Sequence, residues 1–399
     1  MTVILATHHY FPDESSTSVF LTSIAEELAQ DDNVLVISGT AGSATEKGPH
    51  VRAIPTWAPP KDALVQRTLA MIWLCIATFG LVTRYANRKT PVFVVTTPFL
   101  LPYFVVLGAW LRRAPAALIV YDLYPDVLVA TGMTSNSSWL AAGIKQANQW
   151  LFRRISAVVI IGRDMKRHVA SYCIGTTTTV HYIPHWSTLV AGERPIDPGN
   201  PYRIQAKEKF LVGLSGNLGF THDPDTVFDA ARKLAGNPAI HFILSGWGIG
   251  WQRIVDAQRS EQLPNVTLAE RVSEDELETF LSAADTWIIP YRKNMSGISV
   301  PSRLYNLLAI GRPIVALAEA DAEHALMISE HNAGWVVEPE NSALLAETIA
   351  LAAANPTDVA TKRAQAVQIL TERFTRDAAG NAYRSLAKQL RTKNGNGAP

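Results

Sequence analysis

Arg303 lies in a run whose residue types suit an anion: Gly297, Ile298, Ser299, Val300, Pro301, Ser302, Arg303, Leu304 and Tyr305, then Asn306, and finally Gly311, Arg312 and Pro313. A small-residue loop, a helix opening near Pro301 and Ser302, and a glycine before proline predict one helix that offers its first-turn amides. Arg303 in that turn would oppose charge building on a departing diphosphate. Hydrogen bonds to charged groups contribute ~1.5 to 3 kcal/mol each. A second loop, Ser215 to Pro224, has Gly216 and Gly219 for tight turning, Asn217 and His222 as polar side chains, and Asp223 with Pro224 as N-cap and first-turn residue. A diphosphate could rest on that helix start. Asp223 and Asp225 also spell the Asp-x-Asp pair that can hold a divalent metal, but capping accounts for Asp223 alone. No metal and no resident cofactor is expected.

Other loops carry weaker signals. Asp122 and Asp126 follow the apolar run that ends at Tyr121, two carboxylates in a strand-to-helix loop. Asp126, beside Pro125, reads equally well as a helix cap. Ser15, Ser16 and Thr17, in the segment Phe11 to Ser18, could hold a phosphate or cap a helix. His8 and His9 read as a partly buried, satisfied pair. The turn Gly246, Trp247, Gly248, Ile249, Gly250 resembles a nucleotide fingerprint only superficially. Cys75 and Cys173 are too far apart in sequence to suggest a metal or disulfide framework, so a reducing compartment fits.

Parallel sheets must position these loops. Short β-branched runs alternate with helix-length segments: Val3–Ala6, Val34–Ser38, Val92–Thr97, Ala117–Tyr121 and Ala157–Ile161, then Phe210–Ser215, Ile240–Ser245, Val266–Leu268, Thr286–Pro290, Ile314–Leu317 and Trp335–Val337. The expected fold is α/β, with two facing doubly wound, Rossmann-like domains and a cleft between them lined by strand-to-helix loops. The first domain is placed at residues 1–186, a proline-rich linker at 187–209 and the second domain at 210–370. A C-terminal helix and tail, 371–399, is expected to pack back on the first domain. Thr361–Arg391 reads as long and helical, and Asn394–Pro399 as a frayed tail.

A chain of 399 residues with 48% hydrophobic content and a net charge of +1 is an ordered globular protein of about two domains, with no suggestion of nucleic-acid binding. Met1–Thr7 lacks the basic start of a signal peptide and reads as a buried strand. The balance conceals an asymmetry: from Lys61 to Ala170 there are 13 Lys plus Arg against four Asp plus Glu. Thr68–Thr83 is 16 residues without a charge, short of the ~20 that span a bilayer. Thr90–Leu111 is divided by Pro98 and Pro102 into strand, loop and helix. Each segment is either ordinary core or an Arg-rimmed apolar face for anionic lipid.

Val-Pro-Ser-Arg-Leu-Tyr (300–305) and Ala-Ile-Gly-Arg-Pro-Ile-Val (309–315) resemble the donor-binding domain of glycosyltransferase family 4, GT-B fold, in its bacterial exopolysaccharide and O-antigen branch. Ser215–His222, Leu263–Val272 with a capping box at Ser273 and Glu276, Ala284–Tyr291, Tyr121–Asp126 and Ile183–Trp186 are similar to the same branch, so the resemblance spans nearly the whole chain. It implies a retaining, metal-free transfer from a UDP- or GDP-linked sugar to a saccharide or polyprenol-linked acceptor. The enzyme would be cytoplasmic, peripheral on the inner membrane face, and its closing lobes would exclude water. Donor contacts are implied for Ser16, Gly216, Asn217, Gly219, His222, Gly246, Arg271, Pro301, Ser302, Arg303, Leu304 and Asn306, with Arg303, Asp122 and Asp126 in catalysis. Two departures stand out. Asn217 and His222 occupy positions where many relatives have Arg and Lys, which shifts positive charge onto Arg303, and onto His222 to the extent that it is protonated. Ile298 and Asn306 occupy the positions of the family's two glutamates. A nucleotide-sugar epimerase would need carboxylates there, and a catalytically silent nucleotide-sugar binder is the other alternative.

Overall fold

β1 (Thr2–Thr7), β2 (Asn33–Ser38), β3 (His50–Ala53), β4 (Val92–Val95), β5 (Ala116–Val120), β6 (Ala157–Ile160) and β7 (Thr179–Tyr182) pair in parallel in the order β3-β2-β1-β4-β5-β6-β7. A second parallel sheet follows: β8 (Phe210–Asn217), β9 (Ile240–Trp247), β10 (Val266–Ala269), β11 (Thr286–Pro290), β12 (Ile314–Leu317) and β13 (Gly334–Val337), in the order β10-β9-β8-β11-β12-β13. The computed structural model describes residues 1–13, 15–39, 48–57 and 63–395, with side chains as far as 392. The central strands are buried on both faces, as helix-covered parallel strands must be. β3 and β7, absent from the sequence reading, are half-polar edge strands (His-Val-Arg-Ala and Thr-Val-His-Tyr) with too little apolar content to signal themselves. Each sheet reverses its strand order once, at β1/β4 and at β8/β11, so the loops after those strands lie side by side where such sheets bind ligands.

Met1–His185 and the chain from Arg376 onward form one unit, and Trp186–Thr375 the other. The segment read as a linker, 187–209, belongs to the second unit. Arg203 donates to Asp285 Oδ2 (2.9 Å) and to the Ala283 carbonyl (2.8 Å), while buried Arg312 donates to the carbonyls of Arg194 and Ser282 (both 2.7 Å). The segment lacks apolar periodicity because polar bonds to its backbone and side chains hold it. Gly311 serves the same attachment, since at its φ of 69° a Cβ would meet the side chain of Glu193 at 3.0 Å.

The expected long helix at 361–391 is two, Pro356–Arg373 and Arg376–Gly395, broken at Phe374 and Thr375. Of the expected tail, residues 396–399 lie outside the described residues. The capping box at Ser273 and Glu276 does not form. Glu274–Glu276 is a single 3-10 turn, and the Ser273 side chain caps nothing. The last helix buries Tyr383, Leu386, Ala387 and Leu390, the i, i+3, i+4, i+7 face of an amphipathic helix, within the first unit. Its polar fastening is buried Glu27, whose carboxylate accepts from Arg376 Nε (2.9 Å) and Arg384 Nη1 (2.6 Å). Glu27→Ala would leave the largely buried Arg384 unpaired, and we expect about 3 kcal/mol of destabilisation, read as a lower denaturant midpoint.

Candidate active site

β8 and β9 run in register to their ends, with Gly216 opposite Gly246. Gly216 adopts φ 107°, and the Arg303 guanidinium lies flat against it: a Cβ there would stand 2.8 Å from Nη2 and 2.9 Å from Cζ. Arg303 donates through Nη1 to the Ser215 carbonyl and through Nη2 to that of Asn217 (3.2 Å). Among the described residues no carboxylate pairs with it. Enclosure by protein lowers its pKa, with Tyr291 acting in the opposite sense, yet an arginine so placed keeps its charge. A half-enclosed cation held only by backbone dipoles is electrostatically unsatisfied until an anion arrives.

The glycines around it serve close approach. A Cβ on Gly246 would meet the Gly216 carbonyl at 2.8 Å, and one on Gly248, whose φ is 94°, would meet Asn217 Oδ1 at 2.7 Å. Arg271 stacks its guanidinium on the half-exposed Trp247 ring at 4.5 Å, a second cation beside the same strand ends. Asp223 is the N-cap of the helix Pro224–Lys233, accepting from Thr226 N (3.2 Å) and Thr226 Oγ1 (2.5 Å). The loop between Gly219 and Asp223 is zipped to the end of β11: Asp223 N donates to Pro290 O (2.9 Å), Arg292 N to Thr221 O (3.0 Å) and Arg292 Nε to His222 O (2.9 Å).

Several readings change here. His222 is buried, and desolvation, then Arg303, then His324 hold its pKa well below the ordinary histidine value, so it is neutral rather than a second positive charge. Pro301 and Leu304 are core residues and offer a ligand only backbone. The helix Arg303–Ala309 is one short stretch, and the amides of Leu304 and Tyr305 bond back to Pro301 and Ser302, so the charge comes from the side chain more than from free amides. Asn306 Oδ1 accepts from Ser187 Oγ (3.0 Å) and Thr188 N (2.9 Å), which commits it to fastening that segment. Ser302 and Gly219 remain beside Arg303 and Asn217. The sequence reading missed Glu319, whose carboxylate accepts from Asn294 N (2.9 Å) and Ser296 N (3.0 Å) to shape the loop ahead of Pro301. It also missed the ring stack of His222, Tyr291 and His324, with centroids 4.8 and 5.0 Å apart. Nothing in local sequence connects residues so far apart along the chain.

In the first unit, Thr96 Oγ1 at the end of β4 accepts from the amides of Tyr121 (3.1 Å) and Asp122 (3.3 Å), and Asn148 Nδ2 donates to Tyr124 O (2.7 Å). These bonds hold Asp122 in a crevice with Phe99, Tyr103 and Tyr124, where burial pushes its carboxyl up to about 6. Asp126 opens the helix Asp126–Ala130 without capping it and faces His168 Nδ1 at 3.3 Å. Ser15 caps the helix Ser16–Ala29, Ser16 is exposed, and Asp13 already accepts from the Ser15 amide (2.9 Å) at that helix start. His9 Nδ1 lies 2.5 Å from Asp13 Oδ2. Among the described residues no group of three or more metal-binding side chains gathers anywhere.

Residues 209–355 match the family described as Glycosyl transferases group 1. The chain is 25% identical over 295 residues to a probable glycosyltransferase, WbjE, of Pseudomonas aeruginosa, covering 72% of each protein. It is 23% identical over 281 residues to a putative colanic acid biosynthesis glycosyl transferase, WcaI, of Escherichia coli K12, covering 67% of each. Among solved structures, sucrose-phosphate synthase of Thermosynechococcus elongatus superposes with a TM-score of 0.73 at 15% identity, over 98% of this chain and 100% of that one. HepE of Anabaena, in complex with UDP, superposes with a TM-score of 0.69 at 15% identity, over the same shares.

Two outcomes follow from the second unit. Gly216→Ala pushes the flexible guanidinium aside and strains a positive φ, and should weaken nucleoside-diphosphate binding roughly tenfold or more by calorimetry. Buried His324, with neither ring nitrogen hydrogen-bonded among the described residues, has its pKa lowered from 6.5 to about 4 by desolvation. Below pH 6.5 the unfolded chain takes up a proton that the folded one refuses, so stability falls as pH drops from 6.5 towards 4, by about 3 kcal/mol at full development. His324→Leu should flatten the fall in denaturant midpoint across that window.

Proposed function

We propose that this chain, a glycosyltransferase of GT-B fold with a group 1 domain, moves a sugar from a UDP- or GDP-linked donor to a lipid-linked saccharide acceptor in cell-surface polysaccharide biosynthesis. The transfer retains anomeric configuration and uses no metal. The observation that carries the reading is Arg303: a charge presented over a glycine at the switch point of the second sheet, with no carboxylate partner among the described residues. As the sugar C1–O bond breaks, negative charge collects on the diphosphate, and a preoriented guanidinium stabilises that charge more than it stabilises the ground state. The acceptor hydroxyl then enters on the face the diphosphate leaves.

The absence of metal in this reading follows from the division of roles. Asp223 is occupied as a helix cap, and Arg303 supplies the charge that a divalent ion would otherwise supply. Asp122 is the group assigned to the acceptor hydroxyl, because a carboxyl pushed up to about 6 is a better proton acceptor than an ordinary one while still ionised at neutral pH. The relatives support the pathway: one is named for colanic acid biosynthesis, and HepE was solved with UDP and with UDP-glucose. We place the protein in the cytoplasm, peripheral to the inner membrane face.

Arg303→Met should lower donor turnover by about 10²-fold or more, measured as acceptor-dependent release of nucleoside diphosphate from a panel of UDP- and GDP-sugars. Turnover unchanged in that variant would put the active centre elsewhere. An isomerised donor would indicate an epimerase, and binding without either product a sensor. For Asp122, kcat/KM should rise with pH through about 6 as the carboxyl ionises, and Asp122→Asn should abolish that limb of the profile.

A further inference from the structure

The helix Leu64–Tyr85 of the first unit has 22 residues, is long and apolar enough to cross a membrane, and is buried over only 28% of its most apolar stretch. Its inner face, Ala70, Leu74, Cys75, Thr78 and Val82, packs within the unit. The opposite face holds Val65, Leu69, Trp73 and Ile76, which are 74%, 53%, 46% and 50% exposed. At 100° per residue these four fall within an arc of about 80° and extend about 16 Å along the helix axis. The Trp73 indole N–H donates to the Pro55 carbonyl (3.0 Å), so the ring is fixed in place with its apolar surface outward.

A second helix continues the surface. Leu101–Leu111 crosses Leu64–Tyr85 closely at Gly108, where a Cβ would meet Val82 Cγ1 at 3.2 Å, and Arg112 Nε donates to the Ala86 carbonyl (3.1 Å). The C-terminal ends of both helices therefore lie together, with exposed Trp110 and Leu111 running into exposed Arg112 and Arg113 beside Arg84, Arg88 and Lys89. From residue 63 to residue 121 the sequence has six Lys plus Arg and not one Asp or Glu. An exposed apolar stripe that an ordinary core helix would bury is thus bordered by the exposed cations Arg84, Arg88, Lys89 and Arg112.

We propose that this two-helix face docks on an anionic lipid bilayer, with the helix Leu64–Tyr85 lying along the surface and the arginines meeting lipid headgroups. The charge pattern selects that partner over a second copy of the chain. A two-fold interface would set Arg84, Arg88, Lys89 and Arg112 against their own copies, whereas anionic headgroups neutralise them and acyl chains take the stripe. The helix does not cross the membrane, because spanning would strip its inner face from the unit. The proposal specifies the surface behind the membrane location given above and does not depend on the donor chemistry.

Co-sedimentation of the full chain with vesicles of equal parts phosphatidylglycerol and phosphatidylcholine tests it. At low salt the protein should pellet with these vesicles, bind pure phosphatidylcholine about tenfold more weakly, and be released as salt rises. Leu69→Ser with Ile76→Ser should cut binding about tenfold at an unchanged denaturant midpoint, and Arg88→Gln with Lys89→Gln should reduce the salt dependence. The proposal is overturned by wild-type protein remaining in the supernatant, by full binding of the serine variant, or by a dimer in sedimentation equilibrium that the serine substitutions dissociate. Nucleoside-diphosphate release assayed on the same preparations separates the two readings, since it reports on Arg303 whether or not vesicles bind.

Discussion

The Arg303 guanidinium against Gly216 is the contact on which the proposed chemistry of the second unit rests. Arginines elsewhere in that unit show what is unusual about it. Arg203 meets Asp285, and Arg232 meets Asp229 and Glu261, while Arg312, held like Arg303 by carbonyls, is fully buried. Arg303 is answered only by two carbonyls, whose partial charges orient a guanidinium without neutralising it. The cost of holding such a charge near protein is offset when an anion binds, which makes the site's electrostatics those of a receptor. Neighbouring features protect this arrangement: Gly216 has no side chain to intervene, His222 stays neutral beside the cation, and Glu319 shapes the approaching loop from its far side.

The role proposed for Asp122 in the first unit rests on the opposite circumstance. Asp122 owes its raised pKa to burial, with no opposing charge to hold it down, and the loop that carries it is pinned by Thr96 and Asn148. One unit therefore keeps a cation unneutralised, and the other keeps a carboxyl poorly solvated. Both states are unfavourable locally and persist because buried strands on either side fix the loops. The same unit shows burial balanced by pairing in Glu27, whose carboxylate serves two arginines of the C-terminal helix. Its outward helix face combines exposed apolar side chains with a one-signed charge rim, a composition suited to an interface with a charged, apolar-cored partner.

Much was legible in the residues themselves. β-branched runs of three to six residues that alternate with helix-length segments are the pattern of buried parallel strands, so two doubly wound sheets followed from pattern. Asp223 before Pro224 announced its cap, and the prolines of Thr90–Leu111 announced strand, loop and helix, because these are effects of a residue on its own backbone. The edge strands β3 and β7 were silent because exposure had removed the apolar signal.

What only the tertiary structure decided is every property that depends on partners remote in sequence. The charge state of His222 was set by burial near Arg303 and His324, and the fate of Asn306 by Ser187 and Thr188, more than a hundred residues away. Segment 187–209 read as a linker because its attachment uses polar bonds, from its own Arg203 and from Arg312 in a distant turn, which leave no periodicity in the segment. Residue type and spacing determine which local structure and which chemistry are available. Solvation and the nearest charge determine which of them is used, and both are set where the chain folds back on itself.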